Sequence, residues 1–263
     1  MIKLSVVIIT YNEERNIERC ILSIKEIADE IIIVDSYSTD LTIPIALNLG
    51  AKIFYHYFYG YIEQKNFALT KTSYPHVLSL DADEALSEEL RQSILNVKKN
   101  WTADGYYFNR LTRYCGKLVR FTSWYPSRKL RLWDKRKGSW GGYNPHDKFL
   151  MEGKANKQFL NGDLLHFPYN TIEEHLSQIE RFSSIYAEYQ FLDGNRAYLY
   201  NIIINPLWRF FRDYFIKLGI LGGFTGLTIC FLSSYETYLK YKKTLIIQQT
   251  AGLVGIKILK TPD

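Results

Sequence analysis

The protein has 263 residues, of which 47% are hydrophobic and 23% are charged, a balance that excludes a disordered tail protein or a fibrous repeat. The net charge of +6 is uneven: residues 101–150 carry 11 basic and 3 acidic side chains, but no nucleic-acid-binding motif, so we expect no nucleic-acid partner. The three cysteines, Cys20, Cys115 and Cys230, are too widely spaced for a disulfide scaffold or a cysteine-based zinc site and are typical of a reducing compartment.

Residues 1–100 alternate between short apolar runs and amphipathic stretches, which is the pattern of strands followed by helices. We predict strands that end at Thr10, Asp35, Tyr55 and Asp81, and helices over 17–24, after Ser38, over 63–71 and from Ser87. Nearly continuous apolar strands with short connections indicate a sheet covered by helices on both faces. The predicted fold is therefore α/β, with a doubly wound, mainly parallel sheet.

Polar side chains follow three of these strands at the point where each strand ends. The three groups are Thr10-Tyr11-Asn12-Glu13, Asp35-Ser36 and Asp81-Ala82-Asp83. Ligands of such sheets bind at the carboxyl ends of the strands. The sequence therefore predicts one ligand site, built from three distant segments.

After about Gly105 the strands become shorter, near residues 106–108 and 128–133, and a glycine-rich loop follows over 138–147. One amphipathic helix is predicted over 171–192, and Gly194-Asn195 marks a break after it. The chain is therefore divided into a domain over 1–195 and a helical tail over 196–263.

The tail is both apolar and basic. Residues 218–235 contain 18 positions without a charge, about 27 Å as a helix against roughly 30 Å of bilayer hydrocarbon. Glycines at 219, 222, 223 and 226 give two GxxxG spacings, a motif of close helix packing. Aromatic and basic side chains flank the stretch, so we expect a segment at a membrane interface, with a true span and a buried hairpin as the alternatives.

The pair Asp81 and Asp83 is the most specific short motif. Two carboxylates two positions apart at a strand end can share a divalent cation, although acidic residues also follow strands as turn or helix-cap groups. A calcium loop would need glycine at its sixth position, where Leu86 stands, so that kind of site is excluded.

Four segments together resemble glycosyltransferase family 2, the inverting group with a GT-A fold. They are Ser5–Glu13 (SVVIITYNE), Asp35–Asp40 (DSYSTD), Gln64-Lys65-Asn66 and Leu80–Glu84 (LDADE), in order and at the family's spacing. Within the family the chain most resembles bacterial lipopolysaccharide-core glucosyltransferases. The resemblance covers residues 3–180 and implies a nucleotide-binding half over 1–100 and an acceptor half over 101–195.

The resemblance also implies roles for individual side chains. It implies that the nucleotide's base and ribose are held by Thr10, Tyr11, Asn12, Glu13 and Asp35, and that Lys65 contacts the donor. It further implies that Asp81 contacts ribose or metal and that Asp83 ligates Mn²⁺ or Mg²⁺. Tyr37 stands where relatives commonly have glycine, which bears on the choice of nucleotide.

An inverting transfer needs a base for the acceptor hydroxyl. Asp147 matches the position where family members place this carboxylate, and His146 is the alternative base or a contact to the diphosphate or metal. Arg128, Lys129 and Arg131 are expected either to assist the leaving diphosphate or to face solvent on a strand. His166 is equally a ligand or a core histidine.

Together these features predict a metal-dependent, inverting glycosyltransferase at a membrane. We expect transfer of a hexose, with glucose foremost, from a UDP-linked donor to a glycolipid or lipopolysaccharide-core acceptor. Residues 196–243 would contact the cytoplasmic face of the plasma membrane peripherally. The alternatives are a nucleotidyltransferase, which would release pyrophosphate, and a non-catalytic protein that binds sugar nucleotides or glycolipids.

Overall fold

The alternation of strands and helices expected for residues 1–100 is confirmed by the computed structural model, which describes residues 1–143 and 146–254. The strands are β1 (Leu4–Thr10), β2 (Glu30–Asp35), β3 (Lys52–Tyr55), β4 (His76–Asp81) and the short β5 (Glu84–Leu86). The helices are α1 (Ile17–Ile24), α2 (Thr42–Asn48), α3 (Tyr61–Thr70) and α4 (Glu88–Lys99). The Ser87 hydroxyl accepts a hydrogen bond from the Leu90 N–H and so caps α4.

The remaining strands extend over residues 105–169. They are β6 (Gly105–Tyr114), β7 (Lys117–Leu118), β8 (Ser127–Asp134), β9 (Gly138–Tyr143), β10 (His146–Met151) and β11 (Lys157–Tyr169). The main sheet has the order β3-β2-β1-β4-β8-β6-β11-β5, with β7 beside β6, while β9 and β10 form a separate antiparallel pair.

The first four strands of this order run parallel to one another, and β8 joins β4 and β6 in antiparallel pairing. Apolar side chains alternate between the two faces: Val6 and Ile8 pack in the cluster that includes α1 and α4, whereas Val7 packs in the cluster that includes α3. The predicted α/β class with helices on both faces is confirmed.

The helices of the C-terminal region are α5 (Ile172–Leu192), α6 (Leu199–Phe211) and α7 (Gly223–Val254). A π-helical turn (Arg212–Ile216) and a 3₁₀ turn (Gly219–Gly222) join α6 to α7. None of the helices in the described ranges is long and apolar enough to cross a membrane by itself. The segments Leu199–Ile216 and Gly219–Ala251 meet that criterion only together, and they are bent by 73°.

The chain divides into two compact units at positions other than the predicted boundary at residue 195. Unit 1 comprises Met1–Thr112 and Pro126–Phe167, and unit 2 comprises Arg113–Tyr125 and the chain from Pro168 onward. The helix α5 belongs to unit 2, where Ile179 packs against Leu232 and Leu239 of α7. The predicted domain over 1–195 stays a prediction.

Within unit 2, the glycines of the tail make a close approach, but not between GxxxG partners. A side-chain carbon added at Gly226 would lie 2.0 Å from the carbonyl oxygen of Gly219. Gly222 has open space around it. The glycine at 226 is therefore required by the packing of α7 on the preceding turn, and the one at 222 is not.

Candidate active site

The three polar groups predicted at strand ends lie at one edge of the sheet. In the parallel register, Thr10 pairs with Asp35 and Ile9 pairs with Asp81, so the three strands end side by side. The Thr10 hydroxyl oxygen is buried and has no hydrogen-bond partner among the described residues. A buried hydroxyl without a partner is costly, and a ligand at this edge would satisfy it.

The loop after β1 is hydrogen-bonded to the loop after β2. The Asn12 N–H donates to the Ser38 hydroxyl (2.9 Å), and the Asn12 side-chain oxygen accepts from the Thr39 N–H (2.8 Å). Asp35 is fully buried, and its carboxylate accepts from both the N–H and the hydroxyl of Ser38. Asp35 thus organises the turn, while Tyr11 remains 58% exposed beside it.

Glu13 is the carboxyl group of this edge with a strongly raised pKa. The pKa of Glu13 is raised to about 7: burial contributes most, the hydrogen bond from Asn16 opposes it, and the charges of Asp83, Asp40 and Asp81 add to it. Glu13 therefore lies within electrostatic range of both aspartates of the Asp81-Ala82-Asp83 motif.

Lys65 connects two of the predicted acidic residues. Its side chain is only 3% exposed, and its Nζ lies 3.1 Å from Asp81 Oδ1 and 2.8 Å from Asp147 Oδ2. Residues from α3, β4 and β10 thereby meet at one point. A buried lysine of this kind is tolerated because two carboxylates compensate its charge.

Arg131 holds the same aspartate from the other side. Its NH2 group lies 2.6 Å from Asp81 Oδ2 and 3.0 Å from Glu84 Oε1. The pairing of β6 with β8 shifts around Arg131, because Tyr106 pairs with Leu132 and Tyr107 with Leu130, and such a bulge redirects a side chain. Burial would raise the pKa of Asp81, but Arg131 and Lys65 outweigh it and hold that pKa well below its usual value.

Asp83 faces a histidine whose role the sequence left open. His166, on β11, places Nε2 at 3.2 Å from Asp83 Oδ2, and its Nδ1 lies 3.3 Å from the Thr112 hydroxyl. Burial would raise the pKa of Asp83, but His166 outweighs burial and the pKa lies below its usual value. Sequence spacing offers no sign of this pair, because 83 positions separate its members.

The predicted ligand set of Asp81, Asp83 and His146 is described only in part. The carboxylate of Asp81 forms ion pairs with the side chains of Lys65 and Arg131. The side chain of His146 lies outside the described residues. In the part of the chain that the structure describes, no three histidine, cysteine or acidic side chains are grouped as metal ligands. Asp83 and His166 lie together as a pair.

The three basic residues predicted on β8 have three different surroundings. Arg131 belongs to the buried network, whereas Arg128 is exposed, with its guanidinium 5.7 Å from the centre of the Tyr107 ring. Lys129 is half-buried, and burial together with Arg110 and Arg131 lowers its pKa to about 8. Arg110, on β6, is a further cation that sequence analysis missed.

Tyr37 adopts a backbone conformation that favours glycine. Its φ is +64°, in the left-handed region that costs an aromatic residue about 1–3 kcal/mol. Its ring packs on Tyr57 and Tyr55, with ring centres 4.5 Å and 5.6 Å away. This aromatic contact compensates part of the strain and adds bulk beside Asp35.

Comparison with known proteins identifies the family of the chain. The profile of glycosyl transferase family 2 matches residues 5–155. An uncharacterized glycosyltransferase of Rickettsia bellii is 33% identical over 92% of this chain and 85% of its own length. A lipopolysaccharide core biosynthesis glycosyltransferase of Rhizobium meliloti, LpsC, is 30% identical over 90% of this chain and 93% of its own length.

Among solved structures, the chain is similar to glucosyl-3-phosphoglycerate synthase from Mycobacterium tuberculosis, crystallised with Mn²⁺, UDP and glucosyl-3-phosphoglycerate. The identity is 26%, the match covers 43% of this chain and 44% of that one, and the TM-score is 0.36. The family profile spans more than half of this chain, and the relatives align along most of it. The chain therefore belongs to glycosyltransferase family 2.

Proposed function

We propose that this glycosyltransferase moves a hexose, with glucose foremost, from a UDP-linked donor to a lipid-anchored or lipopolysaccharide-core acceptor, with inversion and with a divalent metal. The observation that carries the proposal is the contact of Lys65 with both Asp81 and Asp147, beside the pair of Asp83 and His166. The similarity to LpsC, which is named for lipopolysaccharide core biosynthesis, supports the class of acceptor.

Asp83 and His166 fit a divalent cation. Their facing oxygen and nitrogen atoms are 3.2 Å apart, and both side chains are partly accessible. Mg²⁺ is typically bound through one or two carboxylates and completes its shell with waters and substrate phosphates, so the carboxylate of Asp83 can hold such an ion with few other protein ligands. Such an ion would neutralise charge that develops on the leaving diphosphate.

Asp147 is proposed as the base that accepts the proton of the acceptor hydroxyl as that oxygen attacks the anomeric carbon. Its side chain is 10% exposed, and Lys65 holds its Oδ2 in place. The ion pair fixes the carboxylate within β10 while the other oxygen is available for the acceptor. Lys65 is thus both a positioning residue and a candidate contact for the donor.

The loops after β1 and β2 are proposed to bind the nucleoside. Thr10 supports this role through its unpartnered hydroxyl, and Asn12 and Asp35 support it by bonding the two loops together. Tyr11 lies exposed at the same edge, where its ring is available to a base.

Unit 2 is proposed to bind the cytoplasmic face of the plasma membrane peripherally. Around the bend between α6 and α7, residues 203–224 expose an apolar surface, which we call the apolar corner. Its exposed side chains include Ile203, Leu207, Trp208, Leu221 and Phe224, between 54% and 77% accessible. Lys217 is exposed in the same segment, and Arg209 with Arg212 leaves one positive charge in excess over Asp213. These charges would suit anionic headgroups.

Flotation with anionic vesicles tests the membrane proposal. The double substitution of Leu221→Asp and Phe224→Asp should weaken vesicle binding by about tenfold or more. Burying each of these apolar side chains in the membrane would contribute about 1.5–3 kcal/mol to the free energy of binding. Leu47→Asp, at a 57% exposed position of α2, is the matched control. Equal binding by all three proteins would contradict the proposal.

Product analysis tests the reaction. With a UDP-hexose, Mn²⁺ and a lipopolysaccharide-core acceptor, we expect glycosylated acceptor and UDP. Release of pyrophosphate would indicate a nucleotidyltransferase instead, and tight donor binding without turnover across many acceptors would indicate a binding protein.

A further inference from the structure

Two cationic side chains beside the candidate active site, Arg110 and Lys129, have no role in the proposed reaction. Arg110 lies on β6 and Lys129 on β8, and the register pairs Phe108 with Lys129 and Arg110 with Ser127. Directly paired residues share one face of a sheet, so Arg110 and Lys129 are diagonal neighbours on the same face. Long side chains reach one another across such a diagonal.

The carboxylate nearest to this pair is already engaged. Arg110 NH1 lies 3.7 Å from Glu84 Oε1, an oxygen that Arg131 contacts at 3.0 Å. The other Glu84 oxygen accepts a hydrogen bond from the Asp81 N–H at 3.0 Å. Glu84 is therefore shared and does not compensate Arg110 fully.

The donors of the pair are incompletely satisfied. Arg110 Nε is buried without a hydrogen-bond partner among the described residues, and no ion pair within those residues involves Lys129. Burial and the two neighbouring guanidinium groups disfavour the charged form of Lys129, whose pKa falls to about 8. An anion between the two side chains would relieve both costs.

We propose that Arg110 and Lys129 form an oxyanion subsite that binds a phosphate or carboxylate group of the acceptor. The inference rests on the proposed glycosyltransfer and specifies its acceptor as anionic. A guanidinium binds such a group through two parallel N–H donors, and the lysine adds a point charge.

The donor diphosphate is the other possible source of an oxyanion here. We assign the subsite to the acceptor because the proposed divalent cation at Asp83 and His166 already meets the charge of the diphosphate. The two cations also lie on β6 and β8, in the antiparallel half of the sheet, whereas the proposed nucleoside loops follow β1 and β2.

Calorimetric titration separates the two sources. Inorganic phosphate is titrated into protein saturated with UDP and Mn²⁺, and UDP is titrated separately in the presence of Mn²⁺. Arg110→Gln and Lys129→Gln should each weaken phosphate binding by about tenfold or more, while the UDP affinity stays within about threefold of wild type. Lys157→Gln, at an exposed position of β11, is the control that should change neither affinity.

Arg110→Lys keeps the charge and should lose less phosphate affinity than Arg110→Gln, and circular dichroism verifies that each variant is folded. Competition between phosphate and UDP, with an equal loss of UDP affinity in both glutamine variants, would assign the cations to the donor and overturn the inference. No phosphate binding by the UDP-loaded wild type would also overturn it. Failure of the wild type to bind UDP at all would overturn the proposed function itself.

Discussion

Unit 1 and unit 2 depart from the ordinary globular pattern in opposite directions. In unit 1, charged side chains are buried at the sheet edge, where Lys65 is 3% and Arg131 5% exposed. In unit 2, large apolar side chains are exposed at the apolar corner, where Phe224 is 77% accessible. Buried charges and exposed apolar patches both cost stability unless they are partnered. The difference underlies the two proposals of a polar ligand for unit 1 and a membrane surface for unit 2.

Unit 2 also buries one acidic side chain, and it does so by the same means as unit 1. Asp213 is 1% exposed and lies 2.6 Å from Arg209 and 2.8 Å from Arg212. The Ser123 hydroxyl donates a further hydrogen bond to it at 2.8 Å. Pairing therefore governs burial of charge in both units, and what distinguishes them is the surface each leaves to solvent.

The largest expected effect is on the rate of transfer, when the carboxylate of Asp147 that pairs with Lys65 is replaced. Asp147→Asn should lower the rate of transfer by about 10²- to 10⁴-fold because the amide cannot accept the acceptor's proton. The affinity for UDP, measured by calorimetry, should be retained. Glu152→Gln, at an exposed position that follows β10, is the control. Unchanged turnover in Asp147→Asn would remove Asp147 from the role of base.

The second-largest expected effect is on the metal concentration that the transfer reaction requires. Chelation with EDTA should abolish transfer, and His166→Asn should raise the Mn²⁺ concentration needed for half-maximal activity by about 10- to 100-fold. His76→Asn is a matched control because His76 begins β4, at the opposite end of that strand from Asp81. An identical Mn²⁺ requirement in both variants would show that His166 does not hold the ion.

Unit 2 buries a histidine in its neutral form, whereas unit 1 buries charged side chains that are paired with one another. Burial lowers the pKa of His175 to about 4, with the Tyr114 hydroxyl 3.1 Å from its Nδ1 and Glu236 opposing weakly. The unfolded chain binds this proton near pH 6.5, so the free energy of unfolding should fall as the pH drops from 6.5 to 4. The loss should reach about 3 kcal/mol.

Thermal unfolding of the wild type and of His175→Phe between pH 7 and pH 4 measures this effect. The phenylalanine variant has no proton to bind at this position, so its melting temperature should depend less steeply on pH over that range. Parallel pH profiles for the two proteins would mean that His175 is not buried in its neutral form.

The smallest expected effect is on the free energy of unfolding, when the glycine packing next to the apolar corner is changed. Gly226→Ala should lower the free energy of unfolding by about 1–3 kcal/mol because its methyl group meets the Gly219 carbonyl. Gly222→Ala, with open space around it, should change stability little. Equal stability of the two variants, by denaturant titration, would contradict the close approach.

The alternation of the first hundred residues predicted much of unit 1. Apolar runs that end at Thr10, Asp35 and Asp81 become neighbouring parallel strands, and their ends meet as predicted. Lys65 and Asp147 were identified by resemblance, and the structure brings them into contact, although their chemical roles remain predictions. The predicted domain boundary at residue 195 stays a prediction. The structure adds that α5 presents its apolar side chains to α7, which periodicity within α5 alone does not reveal.

The sequence by itself determined the first four strands, the helices that follow them and the sheet edge at which polar groups collect. Hydrophobic periodicity and strand ends are properties of neighbouring residues. Only the tertiary structure decided the partners: His166 for Asp83, Arg131 for Asp81, and Gly219 for Gly226. The Asp83 and Asp81 partners lie 83 and 50 positions away along the chain. Contacts over such separations depend on how strands pair and how helices pack, which no local pattern encodes.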